Sequence, residues 1–258
     1  RAGVRPRRAR ARARAGTRAG RKPLSPPEVA SRSTMAARDA SRDQDGCARI
    51  PESHVVDRPA YRFVKRALDL AIAIPGLVVL FPLLLLVGIL VKLTSPGSVF
   101  YAWDVVGRCG RPFRGYKFRT MIQSADSMRE TLTAHNEMEG PVFKMRQDPR
   151  VTTFGRFLRK YSIDELPQLW SVIKGDMSLV GPRPAFASEW ERYEPWQRRR
   201  LTVMPGITCL WQISGRNEIR AFDDWAHLDL EYIDHWSLGL DVLILTKTIG
   251  TVFRGTGI

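Results

Sequence analysis

"LAIAIPGLVVLFPLLLLVGILV", Leu70 to Val91, runs 22 residues without a charged side chain. At about 1.5 Å rise per residue, such a helix just covers a hydrocarbon core of roughly 30 Å. A core helix of a soluble protein explains it poorly, because the run is apolar on every face rather than along one stripe. Basic residues crowd both ends: Arg58, Arg62, Lys65 and Arg66 before it, then Lys92, Arg108, Arg111, Arg114, Lys117 and Arg119 after it. Lys and Arg collect on the cytoplasmic side of a membrane. Both flanks therefore belong on one side, which a single straight crossing does not allow. Pro75 and Pro82 lie inside the run, and each removes a backbone donor and crowds the preceding turn. The expectation is a re-entrant membrane helix over residues 61–96, a hairpin broken at Phe81-Pro82, with Pro82 marking the break. Carbonyls freed there must find partners in protein or water, since lipid offers none. Asp69, at the mouth of the segment, is expected to pair with a nearby Arg or Lys.

The chain has 258 residues, enough for one or two domains with a real core. Its net charge of +15 is uneven, because residues 1–34 hold ten Arg, one Lys and a single Glu. That stretch is low in apolar residues and reads as a disordered tail. Met35 offers an alternative start, which would leave the tail untranslated. The basic run could bind RNA or anionic lipid, but a solvated tail is the simpler reading, and nucleic acid is not an expected partner. No apolar h-region follows it, so it is not a secretory signal. Residues 35–60 are polar without a period and read as a linker. Cys47, Cys109 and Cys209 form no CxxC pair, and His54, His135, His227 and His235 form no ligand pattern. That argues against a zinc site or a disulfide framework and for a reducing compartment.

Residues 97–258 read as one folded unit of short strands and helices, and the expected fold class is α+β, mostly helical: a monotopic membrane protein whose cytoplasmic unit carries a small β-hairpin. Val99–Val106 and Phe113–Phe118 are β-prone runs between turn signals and predict the hairpin. "SADSMRETLTAHNEM" reads as helix or loop. Phe154–Lys160 predicts a short basic helix, and Leu166, Leu169, Trp170 and Ile173 recur at helical spacing. Ser188 to Trp211 mixes Trp, Tyr and Arg, which suits a membrane interface or an ordinary amphipathic surface. Leu238–Phe253, interrupted by Asp241 and Lys247, reads as an amphipathic or packed helix rather than a second span.

The chemistry centres on "YSIDELPQLW", Tyr161 to Trp170. Ser162 and Glu165 make an S-x-x-E capping pattern. That reading is flawed, because Pro167 would then fall beyond the first turn, whereas proline fits the first helical position. With the helix starting at Pro167, Asp164 and Glu165 precede it, where its positive end favours carboxylates and phosphates. Adjacent helical residues point about 100° apart, which suits two separate jobs, one carboxylate attacking and the other holding a metal ion. Spacing alone leaves cap and catalyst evenly matched. The neighbours favour the catalyst: Arg156, Arg159 and Lys160 before the acids, Asp176 and the rigid "GPRP" with Arg183 after them, and Arg216 with Asn217 on a glycine-containing loop. Arginines pair with phosphate through bidentate, charge-assisted hydrogen bonds. Carboxylates, arginines and a membrane segment together point to phosphate chemistry on a lipid.

At these motifs the chain resembles the bacterial sugar transferase family, the monotopic polyprenol-phosphate phosphoglycosyl transferases. The resemblance covers Tyr61 to Ile258 and rests on "FVKRALDL", "GSVFY", "YKFRTM", "SIDELPQLWSVIKGDMSLVGPRP", "PGIT" and "SGRN" in that order. It implies transfer of a sugar-1-phosphate from a UDP-sugar to undecaprenyl phosphate, releasing UMP, as the first membrane step of exopolysaccharide or O-antigen synthesis. By the family pattern Asp164 is the nucleophile and forms a covalent phosphosugar. Glu165 assists and, with Asp164, holds Mg²⁺. Arg159, Arg183, Arg216, Lys117 and Arg119 bind phosphate or substrate. The implied setting is the cytoplasmic face of a bacterial inner membrane, with membrane lipid around the anchor; a homodimer is compatible with it. The "NEMEGPVFKMRQDPR" segment resembles hexose-using members, a pointer to UDP-glucose or UDP-galactose. A UDP-N-acetyl-hexosamine donor is the alternative within the family. A metal-dependent lipid phosphatase and a membrane-anchored binding protein are the alternatives outside it. The chain departs from the family pattern at Phe81, where many relatives have Ser before the proline, and at Cys209, where "PGITG" is common. If position 209 needs a positive φ, cysteine is strained there.

Overall fold

The computed structural model of the chain describes residues 59–215, 218–255 and 257. The basic tail at 1–34, the linker as far as residue 58, and Arg216 with Asn217 lie outside the described residues. In chain order the helices are α1 (Pro59–Thr94), α2 (Thr153–Lys160), α3 (Gln168–Lys174), α4 (Ala187–Trp190), α5 (Pro195–Arg198), α6 (Leu210–Ile213), α7 (Phe222–Asp234) and α8 (Leu238–Arg254). The strands are β1 (Phe100–Val106), β2 (Pro112–Phe118), β3 (Ser178–Val180), β4 (Ala185–Phe186) and β5 (Gly206–Thr208). The result is α+β and mostly helical, as expected.

The apolar segment differs from the expected broken hairpin: α1 is helical through all 36 residues, with Pro75 and Pro82 inside it. One proline removes one hydrogen bond and crowds one carbonyl, which can bend a helix without ending it. At about 1.5 Å per residue, α1 is about 54 Å long. Three of its charged residues, Lys65, Arg66 and Asp69, face the body. Lys65 Nζ meets Asp241 Oδ2 at 2.6 Å and the Tyr232 hydroxyl at 3.3 Å. Arg66 donates to the Val172 and Ile173 carbonyls at 2.5 and 2.8 Å, clasping the last turn of α3. Asp69 accepts from Ser178 Oγ at 3.1 Å and Leu179 N at 3.0 Å. The Arg or Lys expected beside Asp69 is thus replaced by a hydroxyl and an amide, because Lys65 is engaged by Asp241. Further along, Ala73, Leu77 and Leu80 pack with Leu169 and Val172, and Val87 and Val91 pack with Phe118 and Leu158. The outer face, including Phe63, Val78, Val79, Phe81, Leu85 and Leu93, is exposed. By length and composition alone, α1 is apolar enough to cross a membrane.

The predicted hairpin forms within a residue of its expected bounds, with Tyr101 opposite Lys117 and Trp103 opposite Gly115. β4 adds an antiparallel pairing to the other edge of β1. β3 and β5 form a separate parallel pair. These two- and three-residue strands carry no readable period. Their joint is built on close backbone contact: a Cβ on Gly206 would sit 2.1 Å from Gly181 N, and one on Gly181 would sit 2.4 Å from Met204 O. Gly181 N donates to Thr208 O and Gly206 N to Pro182 O, both at 2.9 Å. Of the two readings for residues 124–138, loop is correct, with a 3-10 turn at Thr133–His135.

The Trp-, Tyr- and Arg-rich stretch is neither interface nor simple surface at its centre. Tyr193, Arg200 and Trp211 are buried, and the two aromatics pack with Phe222 and Trp225. α8 is amphipathic: Asp241 and Ile244 face inward, while Val242, Leu243, Ile249 and Phe253 are exposed. Cys209 is a buried free thiol in extended backbone, φ −152°, so replacing glycine there causes no strain. Cys109 is disulfide-bonded, against the expectation of three unpaired thiols.

Candidate active site

β2, α2 and the turn before α3 converge on a cavity of about 390 Å³. Six of the seven expected substrate or catalytic residues line it: Lys117, Arg119, Arg159, Asp164, Glu165 and Arg183. The seventh, Arg216, lies outside the described residues.

The carboxylates sit on a 3-10 turn, Ile163–Glu165, just ahead of α3. Pro167 has helical dihedrals and immediately precedes α3, one position from the expected start. No side-chain cap forms at Ser162, so the capping-box reading fails. Ser162 instead adopts φ 53° and ψ 23°, the left-handed region. A non-glycine residue is held there at some cost, and past the bend Asp164 and Glu165 line the cavity. Asp164 is buried, and Glu165 is half-buried, its Oε1 3.7 Å from Arg183 Nη1.

Each cation has its own support. Arg159 projects from α2 and donates from Nε to Thr120 Oγ1 at 2.9 Å. α2 is clasped to the end of β2: Thr152 N donates to Thr120 O at 3.0 Å, and a Cβ on Gly155 would lie 2.1 Å from that oxygen. Arg119 is partly committed elsewhere, donating to Ser95 O at 2.6 Å. Lys117 lies with its ammonium 4.9 Å from the centre of the Trp103 ring. Burial pushes its pKa down to about 8, with Asp164 pulling the other way.

Several contributors were not visible in the sequence. Arg200 and Asp229 form a fully buried pair, with Oδ2 of Asp229 2.6 Å from Nη2 and 2.9 Å from Nε of Arg200. Arg200 also donates to the Tyr193 hydroxyl at 2.9 Å and to the Arg183 carbonyl at 3.1 Å. It therefore braces the backbone of Arg183 from behind. In the sequence Arg200 is merely one of three consecutive arginines. Asp229 did leave a signal: it falls on the apolar stripe of α7 with Phe222, Trp225, Ala226 and Ile233, where an acid needs a buried partner. The opposite wall carries Val142, Phe143 and Lys144 from a loop pinned by Asn136, whose side chain bonds Met138, Val142 and Lys144.

Among the described residues no cluster of three or more His, Cys, Asp or Glu side chains forms a metal cage. Mg²⁺ usually takes only one or two carboxylates and fills its octahedron with phosphate oxygens and water. Asp164 and Glu165, the latter only loosely paired to Arg183, are a donor set that fits an ion shared with a bound diphosphate.

Carboxylates and cations around one cavity, on an α+β body that carries a long apolar helix, are the makings of a phosphate-transferring enzyme. Residues 60–255 match the bacterial sugar transferase family, and the chain belongs to that family. It is 46% identical over 204 residues to the galactosyl transferase CpsE of Streptococcus agalactiae, covering 77% of this chain and 44% of that protein. It is 40% identical over 224 residues to the exopolysaccharide production protein ExoY of Sinorhizobium fredii, covering 85% of this chain and 99% of that protein. It is 41% identical over 201 residues to the undecaprenyl-phosphate galactose phosphotransferase of Salmonella typhimurium, covering 76% and 42% respectively. The chain thus spans nearly all of ExoY but less than half of the other two.

Proposed function

We propose that this chain transfers a hexose-1-phosphate from a UDP-sugar to undecaprenyl phosphate at a bacterial inner membrane, for exopolysaccharide synthesis. The observation that carries the reading is the convergence of Asp164, Glu165, Lys117, Arg159 and Arg183 on one cavity. Two of the relatives are named for galactose, which favours UDP-galactose as donor.

An Asp164 carboxylate oxygen attacks the phosphorus that bears the sugar. A bond forms between them, the bond from that phosphorus to the oxygen bridging to UMP breaks, and UMP leaves with the electron pair. A phosphate oxygen of undecaprenyl phosphate then attacks the same phosphorus, the aspartyl bond breaks, and the carboxylate is restored. Splitting the reaction in this way lets one cavity serve two bulky substrates in turn. Phosphoryl transfer demands mainly positioning and charge neutralisation, supplied here by Lys117, Arg159 and Arg183. Mg²⁺ held by Glu165 and Asp164 would add charge neutralisation on the diphosphate.

The docking of α1 supports a monotopic anchor rather than a crossing. A span needs about 20 residues surrounded by lipid or apolar protein. Here the body meets α1 at Lys65, Arg66, Asp69, Ala73, Val87 and Val91, so no such length is free of it. The exposed faces of α1 and α8 would lie in the cytoplasmic leaflet.

The test is UMP release by purified protein across a panel of UDP-sugars, with and without undecaprenyl phosphate. Sustained release that depends on the lipid, with lipid-linked diphosphosugar as product, is expected. Asp164→Asn abolishes turnover; full activity in that variant would end the nucleophile assignment.

A further inference from the structure

Beside the cavity runs a second, larger space of about 780 Å³, walled by α1, the β-hairpin and Trp170. Two elements border both spaces. Successive side chains of a strand point to opposite faces, and β2 uses this: Lys117 lines the polar cavity, Tyr116 lines the groove, and Phe118 stands between and lines both. The turn at 163–167 does the same, with Asp164 and Glu165 toward the cavity and Pro167 toward the groove. On its outer side the groove is rimmed by Leu85, Ile89 and Trp170, which are more than half exposed or nearly so. Lys92 lines it too, but its ammonium is held by the Gly97 carbonyl at 3.0 Å.

We infer that this groove is the binding site for the hydrocarbon chain of the lipid acceptor. The inference rests on the phosphosugar transfer proposed above. The pairing of the two spaces selects the occupant: a cation-lined cavity takes a phosphate, and the apolar groove on the other side of Phe118 takes the chain attached to it. A linear polyprenyl phosphate has that shape and charge distribution. The rim belongs to the exposed apolar face of α1, so the acceptor can slide in sideways from the leaflet with its chain never crossing water.

Gly88 provides a clean test. A Cβ built there lies 3.4 Å from Val99 Cγ1 and 3.9 Å from Phe118 Cε1, so a leucine side chain enters the groove. Leucine also favours helix over glycine. Trp170→Ala removes part of the opposite wall. Full-length protein is placed in lipid nanodiscs with titrated undecaprenyl phosphate. Two quantities are read: the stoichiometric UMP burst before acceptor is added, and the acceptor KM in turnover. In Gly88→Leu and Trp170→Ala the acceptor KM should rise about tenfold, while the burst stays at the wild-type level. An unchanged acceptor KM in both variants, with the burst intact, overturns the inference. That result would leave the groove to bilayer phospholipid or a second copy of the chain. Absence of a burst in the wild-type protein refutes the transfer reading instead. Should one variant lose its burst through misfolding, the other decides.

Discussion

Asp229→Ala should damage both stability and catalysis, through one buried contact. Arg200 and Asp229 are 1% and 0% exposed. Two unit charges about 3 Å apart attract by about 5.5 kcal/mol at an effective dielectric of about 20. Losing the carboxylate forfeits that attraction and strands the guanidinium. Some compensation remains: the faces of Tyr193, Phe222 and Trp225 lie 5.2 to 5.7 Å from Arg200 Cζ, worth about 2 kcal/mol for a desolvated cation. The net cost is about 3–5 kcal/mol, the usual range for breaking a buried pair. For a body of this size that lowers Tm by roughly 10 °C, read from tryptophan fluorescence in detergent. An apolar double variant, Arg200→Met with Asp229→Leu, has no stranded charge and should recover most of the stability. It should not recover activity, because the Arg183 carbonyl still lacks its donor, and a small misplacement near the reacting atoms costs about 10–100-fold. A single variant within about 1 kcal/mol of wild type, or a fully active double variant, would refute the reasoning.

Three other outcomes follow from the site. In the proposed reaction Lys117 binds phosphate as its ammonium, so kcat/KM for the UDP-sugar should fall as pH rises through about 8, and Lys117→Arg should move that limb upward. Because its folded pKa lies below the unfolded value of about 10.4, the folded chain binds fewer protons between the two, and stability should rise with pH across that window; a flat profile in both assays removes the buried-ammonium role. Chelation by EDTA should stop turnover and added Mg²⁺ restore it; turnover untouched by EDTA would exclude the metal. Arg62→Cys and Lys92→Cys, at the two ends of α1, should react with an impermeant maleimide from the same side of sealed vesicles, over the native-cysteine background, and labelling from opposite sides would make α1 a true span.

What was legible in the sequence was whatever rested on local periodicity. The β-hairpin, α2, α3 and α8 follow from alternation or helical spacing in contiguous residues, and each appears close to its expected bounds. The start of α3 could be placed because proline restricts its own dihedrals. The parallel β3–β5 pair was invisible, since it depends on two glycines 25 residues apart touching back to back. Of the Arg200–Asp229 pair, Asp229 stood out on the apolar stripe of α7, but Arg200 was hidden, because three arginines in a row look like a solvated surface until α7 is laid against them. The proline break was overread: two prolines specify where hydrogen bonds are missing, whereas packing along the whole of α1 settles whether the helix continues.

That packing also explains why polar residues sit on so apolar a helix. Lys65, Arg66 and Asp69 would each be costly in lipid, yet each is satisfied by a different part of the body: α8, the end of α3 and the start of β3. Arg66 holds the carbonyl end of α3, and the Asp164–Glu165 turn lies at the other end of that same seven-residue helix. The distance between membrane anchor and carboxylates is therefore fixed by about 10 Å of rigid helix rather than by a loop. In the proposed reaction, an acceptor whose phosphate stays at the headgroup level demands such a link, because Asp164 would have to meet it at constant depth. Arg66→Ala tests the link without touching the cavity. It should slow transfer to undecaprenyl phosphate embedded in a bilayer by about tenfold, yet leave the UMP burst from UDP-sugar unchanged. A burst reduced in parallel with transfer would mean that Arg66 serves the folding of α3 alone.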